Sequence, residues 1–197
     1  MIDSNIAAQF IGISVSMVNN KPKNYVLYSD GRAGKGYFKY VPLLSVTSLK
    51  QLLTLRNKFW DEHGWIEKGM LKLLSTSEKE CVKNVFYRTN TKHRGKPEPS
   101  FCITIRNLQT RNWIHSPTFL CSFKHDRVKA KKEAIRRLIK FRTEYNEIAN
   151  EYNILYKMWW LKTAKREIQL GQPLLSYDFQ PMLWQQALVN VQKEKAA

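Results

Sequence analysis

The sequence has few acidic residues, and this shortage is its most informative feature. Its 197 residues include 16 Asp and Glu against 33 Lys and Arg, which gives a formal net charge of +17. Such an excess attracts polyanions, because each phosphate that a cation neutralises releases a condensed counterion. Residues 83–170 hold 20 basic and 7 acidic side chains, whereas residues 171–197 hold 2 of each. We therefore expect a polyanion to bind to the middle of the chain.

Cysteine and long apolar runs are also scarce. Cys81, Cys102 and Cys121 are too few and too widely spaced for a zinc knuckle or a disulfide framework, and they favour buried, reduced thiols in a cytosolic protein. No apolar run approaches the roughly 18 residues of a membrane span, and no secretory signal pattern opens the chain. P-loop, nucleophile-elbow and dinucleotide motifs are missing. The sequence predicts no membrane, no metal and no cofactor.

The first twenty residues predict two short helices joined by a tight turn. A helix that begins near Ser4 would end at the left-handed turn that Gly12 permits. Ser14 is a suitable N-cap for a second helix, in which Val15 and Val18 would face inward. This arrangement is typical of a helix-turn-helix.

The same segment contains the phrase Ala7-Ala8, then Gly12-Ile-Ser-Val-Ser-Met-Val18, followed by a basic, glycine-containing stretch that ends in aromatic residues. Over about residues 3–41 it resembles the nuclease-associated modular DNA-binding elements of phage homing endonucleases. An ordinary amphipathic helical pair is the alternative. The DNA contacts that the resemblance implies are Ser14, Ser16, Asn19 and Asn20 on the second helix, with Arg32 and Lys35 in the basic stretch.

Further along, the hydrophobic periodicity changes from helical to alternating. Residues 46–63 have apolar positions at helical spacing and are followed by Gly64, and residues 67–74 could add another turn or two of helix. Residues 85–90, 101–106 and 118–124 predict three antiparallel strands, since Phe101, Ile103 and Ile105 alternate with polar positions. Asp126 can cap a helix that runs from Arg127 to at least Asn150, with apolar residues from Val128 to Leu155 on one stripe. We expect this helix to bury one face of the sheet and leave the other free.

The order of these motifs resembles the Apetala or ethylene-response-factor type DNA-binding domain, which also occurs in phage integrases and homing endonucleases. The likeness covers about residues 83–148 and rests on Val85-Phe-Tyr-Arg, Phe101 to Arg106, Leu120-Cys-Ser-Phe123, and Ala130, Ala134 and Ile135, although Cys121 stands where the family usually has Gly. It implies that the exposed sheet face enters the major groove of DNA. The contacts implied are Arg88, Lys92, Arg94, Lys96, Arg106, Arg111, Trp113 and Lys124.

Together these patterns predict an α+β protein in four segments. They are a helix-turn-helix module at residues 1–45, a helical connector at 46–82, a three-stranded sheet with one long helix at 83–150, and a helical tail at 151–197. In the tail, the adjacent Trp159 and Trp160 favour core packing or a dimer contact over base stacking, which leaves a homodimer open. A final helix is expected from Leu183 to Val191.

The function that this organisation favours is sequence-specific binding of double-stranded DNA. The two resemblances indicate a phage or mobile-element transcription regulator, in the simplest case a repressor, derived from a homing endonuclease without its nuclease activity. Acidic residues are few, and no His-Asn-His constellation surrounds the histidines, which argues against metal-dependent cleavage. The alternatives are an active endonuclease or nickase, an RNA-binding protein, and an adaptor that binds no nucleic acid.

Overall fold

The computed structural model describes residues 2–30, 36–65, 67–93, 96–106, 113–120 and 126–196. For strand residues 88–93, 96–100, 102, 104–106 and 113–120 the description is limited to the backbone. The described residues form five α-helices and two three-stranded antiparallel sheets, which confirms the α+β class. The chain divides into two compact units. Unit 1 comprises residues 1–70 and 153–180, and unit 2 comprises residues 71–152 and 181–197.

Unit 1 begins with a short helix and a sheet that packs against one longer helix. Its elements are α1 (Ser4–Ala7), β1 (Ile13–Val18), β2 (Lys21–Ser29), β3 (Tyr37–Pro42), one 3-10 turn (Leu43–Ser45) and α2 (Leu49–His63). The sheet order is β1-β2-β3. The buried side chains of this layer include Ile13, Tyr25, Leu27 and Val41 from the sheet and Leu52, Leu53 and Phe59 from α2.

The predicted N-terminal helix-turn-helix is wrong, because its second helix is strand β1. Ile13 pairs with Leu27 and Val18 pairs with Lys21, so β1 and β2 form a hairpin. Its turn is Asn19-Asn20, whose φ angles of 51° and 59° are those of a two-residue hairpin turn. Apolar and polar residues alternate through residues 13–16, which is the period of a strand and not of a helix. Gly12 does adopt the predicted left-handed conformation, with φ 82°, but a strand follows it.

The connector between the two sheets is helical only at its two ends. Ser48 caps α2 by accepting a hydrogen bond from the Gln51 backbone N–H, and α2 ends at Gly64, as predicted. The further helix expected within residues 67–74 is not there, since all eight are described and none is helical. A short helix, α3, follows at Glu78–Val82.

Unit 2 contains a three-stranded sheet and the helix that covers it, as predicted, but the third strand begins at Trp113 and not at residue 118 as predicted. The elements are β4 (Val85–His93), β5 (Lys96–Arg106), β6 (Trp113–Leu120), α4 (Arg127–Leu170) and α5 (Pro181–Ala196). Asp126 caps α4 by accepting a hydrogen bond of 2.8 Å from the Val128 N–H, which confirms the predicted helix start. The helix continues well past Asn150, and from Asn153 its residues belong to unit 1.

The core of unit 2 lies between the first half of α4 and one face of its sheet. The buried residues are Cys81, Val85, Phe101, Ile103, Ala134, Ile135 and Leu138. Val128 was expected on the same stripe, but it is 58% exposed. It lies in the first turn of α4, ahead of the turns that pack on the sheet.

The core of unit 1 is aromatic and contains a buried ion pair. Tyr156 and Trp160 are fully buried, and the Trp160 ring lies 5.8 Å from the Trp60 ring, so core packing accounts for this end of α4. Arg56 Nη1 lies 2.9 Å from Glu167 Oε2, and neither side chain is exposed. Burial lowers the pKa of Arg56, and the Glu167 carboxylate opposes that shift. Glu167 Oε1 also accepts the backbone N–H groups of Leu174 and Leu175.

Candidate nucleic-acid interface

The β4–β6 sheet has one face closed by α4 and one face that is exposed where its side chains are described. Val85 and Phe101 point into the core, and the Tyr87 ring lies 5.4 Å from the Phe101 ring. Phe86, between Val85 and Tyr87, is 45% exposed. Because successive strand residues point to opposite faces, Phe86 marks the face that α4 does not cover.

The strand register assigns several predicted DNA contacts to that outer face. Phe86 pairs with Cys102, and Arg88 pairs with Ser100. Paired residues, and residues two apart on one strand, lie on the same face, so all four positions belong to the face of exposed Phe86. Arg106 follows Cys102 by four residues on β5, so it lies on the same face, and it pairs directly with Trp113. Lys96 precedes Ser100 by four residues on β5 and therefore lies on this face as well. The backbone therefore places Arg88, Lys96, Arg106 and Trp113 on one face of the sheet.

Other predicted contacts in this region are not grouped with them. The register of β4 shifts between Arg88 and Thr91, so Lys92 pairs with Pro97. Pro97 lies on the same face of β5 as buried Phe101, which places Lys92 on the face that α4 covers. A bulge of this kind reverses which face a later residue occupies. The predicted contacts Arg94, Arg111 and Lys124 lie outside the described residues.

The contacts predicted at the N-terminus lie in unit 1 and not on a recognition helix. Ser14 is exposed on β1, and the Ser16 hydroxyl donates to the Asn24 carbonyl at 3.4 Å. Asn19 and Asn20 form the hairpin turn, where their positive φ angles explain their presence. Arg32 and Lys35 lie outside the described residues.

A further basic surface, which the predicted contacts did not include, occupies the first four turns of α4. Residues 127–142 contain eight basic residues and one acidic residue. Glu133 forms ion pairs with Arg137 at 2.9 Å and Arg136 at 3.9 Å. Lys129, Lys131 and Lys132 are exposed, and no described carboxylate lies within ion-pair distance of them. Lys129 and Lys132 lie outside the apolar stripe of α4, and this position was the signal that could have identified them.

These cations extend to the edge of the sheet. Lys131 and Lys132 line a cleft of about 540 Å³ together with Glu78 and the β4 and β5 residues Val85 and Phe101. At its rim, the Arg127 guanidinium lies 4.2 Å from the centre of the Tyr87 ring, within range of a cation–π interaction. Helix α4 therefore adds positive charge directly beside β4.

The structure gives no sign of a metal centre in the part of the chain that it describes, where no three His, Cys, Asp or Glu side chains group closely enough to hold an ion. Within the same ranges, no helix is long and apolar enough to cross a membrane. Comparison with known protein families, with curated proteins and with solved structures found no match to this chain. Both family resemblances consequently remain predictions from sequence.

Proposed function

We propose that this protein binds double-stranded DNA through the outer face of the β4–β6 sheet. The observation that carries the proposal is the division of that sheet into two faces. The core residues Val85, Phe101 and Ile103 are buried on one side, whereas the register assigns Arg88 and Arg106 to the other. A sheet covered on one face and basic on the other has the form of a groove-binding ribbon.

The chemistry of duplex DNA matches this arrangement. The major groove is wide enough for a β-ribbon, and an Arg side chain can make two hydrogen bonds to the O6 and N7 atoms of guanine. In this proposal Arg88 and Arg106 read bases, while Lys96, on the same face of the sheet, contacts a phosphate. Phosphate contacts fix the position on the duplex and make the affinity depend on salt. The deep, narrow major groove of RNA does not admit a ribbon, which favours DNA over RNA.

The biological role we propose is regulation without cleavage. A bound protein that blocks a promoter acts as a repressor, and descent from a phage or mobile-element homing endonuclease accounts for the sequence resemblance over residues 83–148. The second candidate, an active endonuclease or nickase, needs carboxylate or His ligands for a metal ion. The sequence contains only 16 acidic residues and 4 His over its full length, which disfavours such a site.

Selection from a random duplex library at near-physiological salt tests this function. We expect enrichment of one extended sequence motif that stays intact when the enriched duplex is incubated with protein and magnesium. Enrichment followed by cutting would identify an endonuclease instead. A collapse of affinity with salt, without any motif, would contradict sequence-specific binding, and stronger competition by structured RNA would favour the RNA-binding alternative.

A further inference from the structure

The cleft between the start of α4 and the β4–β6 sheet is not part of the proposed duplex surface. Its walls include Val85 and Phe101 of the sheet and Ile135 of α4, which are buried residues of the unit 2 core. Arg88 and Arg106 belong to the opposite face of the sheet, so duplex binding there leaves the cleft unused. Its volume of about 540 Å³ lies within the range of about 300–1,000 Å³ that is usual for small-molecule sites.

One wall of the cleft combines cations with apolar side chains. Arg127, Lys131 and Lys132 line it together with Val128 and Ile135. At about 100° per residue, these five positions fall within about 140° of the circumference of α4 and therefore share one side of the helix. Among the described residues that line the cleft, Glu78 is the only carboxylate, so the charge of the lining is positive.

Two side chains at the mouth of this cleft lack the partners that they usually have. Val128 is apolar, yet 58% of its surface is exposed. The Arg127 guanidinium lies 4.2 Å from the centre of the Tyr87 ring, and no described carboxylate lies within ion-pair distance of it. A ligand with an apolar part and an acidic group would complement both, since the apolar part would cover Val128 and the acidic group would meet the cation.

We propose that this cleft binds a small amphipathic organic acid. Its apolar part lies against Phe101 and Val128, and its acidic group is held by Arg127, Lys131 and Lys132. A long polyanion is the alternative ligand for these cations, but it gains nothing from a recess with apolar walls. The combination of apolar walls and a cationic rim therefore favours a ligand that has an apolar body, and this site does not depend on the proposed function.

Binding of anilinonaphthalene sulfonate, followed by its fluorescence, tests the inference on the full-length protein. This probe has apolar rings and one acidic group. We expect Lys131→Gln/Lys132→Gln to weaken its binding by about fivefold, because two partly exposed cations are lost. The matched control is Lys129→Gln/Lys140→Gln, which removes two exposed charges from the same helix outside the cleft and should retain the affinity. Far-ultraviolet circular dichroism checks that each variant is folded.

A second comparison isolates the acidic group of the probe. Phenylnaphthylamine has the same rings without the sulfonate, and we expect it to bind more weakly and equally to the wild type and both double variants. Val128→Glu places a carboxylate at the mouth of the cleft, in the first turn of α4, where an acidic residue is favourable for the helix. It should weaken binding of the sulfonate and leave binding of the neutral probe unchanged.

Three results would overturn the inference. They are no binding of the sulfonate by the wild type, an equal loss in the two double lysine variants, and binding of the neutral probe as tight as that of the sulfonate. Displacement of the sulfonate by duplex DNA from the Arg88→Ala/Arg106→Ala variant would assign the cations to a polyanion and would also contradict the inference. That variant should otherwise bind the sulfonate as the wild type does, which separates this test from that of the proposed function.

Discussion

The two units share an order of elements and differ in what they expose. In each, a short helix precedes a three-stranded antiparallel sheet with strands in sequential order, and a longer helix follows it. Unit 1 places aromatic residues on the open face of its sheet, whereas the register of unit 2 assigns Arg88 and Arg106 to the corresponding face. In both units the residues of the helix-covered face determine the fold, so the residues of the other face can differ without changing it.

The two cores also differ in chemistry. Unit 1 contains four of the six tryptophans and the buried Arg56–Glu167 ion pair, whereas the core of unit 2 is a compact apolar cluster around Leu138. A buried ion pair is costly when one partner is lost, because the other charge stays buried and unpaired. Unit 1 should therefore be sensitive to single changes in charge, and unit 2 to changes in volume.

The largest effect is expected from Glu167→Gln in unit 1. The substitution keeps an acceptor for Leu174 and Leu175 but leaves the Arg56 guanidinium without its counter-charge. We expect a loss of about 3–5 kcal/mol in the free energy of unfolding. Urea unfolding followed by tryptophan fluorescence measures it, since most tryptophans are in this unit. Glu62→Gln, a carboxylate on α2 that is 46% exposed, is the control. Equal midpoints for the two variants would refute the role of the buried pair.

A change of volume in unit 2 should come next. Leu138→Ala removes a side chain that is 1% exposed between α4 and the sheet. We expect a loss of about 2–4 kcal/mol from the lost burial and the cavity that remains. Hydrogen exchange should show weaker protection in β4 and β5 and unchanged protection in β1 and β2. Val128→Ala, at an exposed position of the same helix, should have little effect. A loss of protection in both sheets would show that the two cores are not independent.

The hairpin turn of unit 1 gives a smaller and more local test. Asn20 has a φ of 59°, a left-handed conformation that is unfavourable for most residues with a Cβ but that Asn and Asp adopt more readily. We expect Asn20→Ala to lower stability by about 1 kcal/mol and Asn20→Gly to be nearly neutral. Thermal unfolding of the two variants makes the comparison. A tolerated Ala would mean that Asn19 and Asn20 are present for another reason, such as the DNA contact first predicted for them.

The caps of the two sheet-covering helices should contribute equally to stability, with an effect as small as that of the hairpin turn. Ser48 caps α2 and Asp126 caps α4 through their side-chain oxygens. Replacing either residue with Ala should cost about 1 kcal/mol. Equilibrium unfolding monitored by circular dichroism measures both. A clear difference between Ser48→Ala and Asp126→Ala would show that one sheet depends on its helix more than the other.

The sequence predicted unit 2 well because its periodicities are strong and local. The alternation of Phe101, Ile103 and Ile105 and the capped start of α4 each specify an element without long-range information. The bulge after Arg88 depends on pairing across the sheet, and no local pattern indicates it. The alternation on β5 was therefore enough to predict that Arg106 lies on the outer face. The sequence could not predict that Lys92 lies on the opposite face from Arg88, because that depends on the bulge.

The start of unit 1 was predicted less well because its local signals conflict: Gly12 and Ser14 are typical of a turn and a helix N-cap, whereas the residues that follow fit a hairpin. Residues 13–16 alternate, and Asn19-Asn20 is typical of a two-residue hairpin turn. Both signals were present and indicated strands. The ion pair between Arg56 and Glu167, in contrast, joins residues far apart in the chain, and only the folded structure could reveal it. The exposure of the Phe38 and Tyr40 rings could not be predicted either, because it depends on which face of the sheet α2 covers.

The most direct test of the central claim is duplex binding by the Arg88→Ala/Arg106→Ala variant. Affinity for the selected duplex and for an unrelated duplex should be measured at several salt concentrations and compared with Lys193→Ala, which removes an exposed charge on α5. We expect the double variant to lose about 1–3 kcal/mol of preference per base contact for the selected duplex. Lys193→Ala should retain that preference. A double variant that still prefers the selected duplex would show that the β4–β6 face does not read DNA.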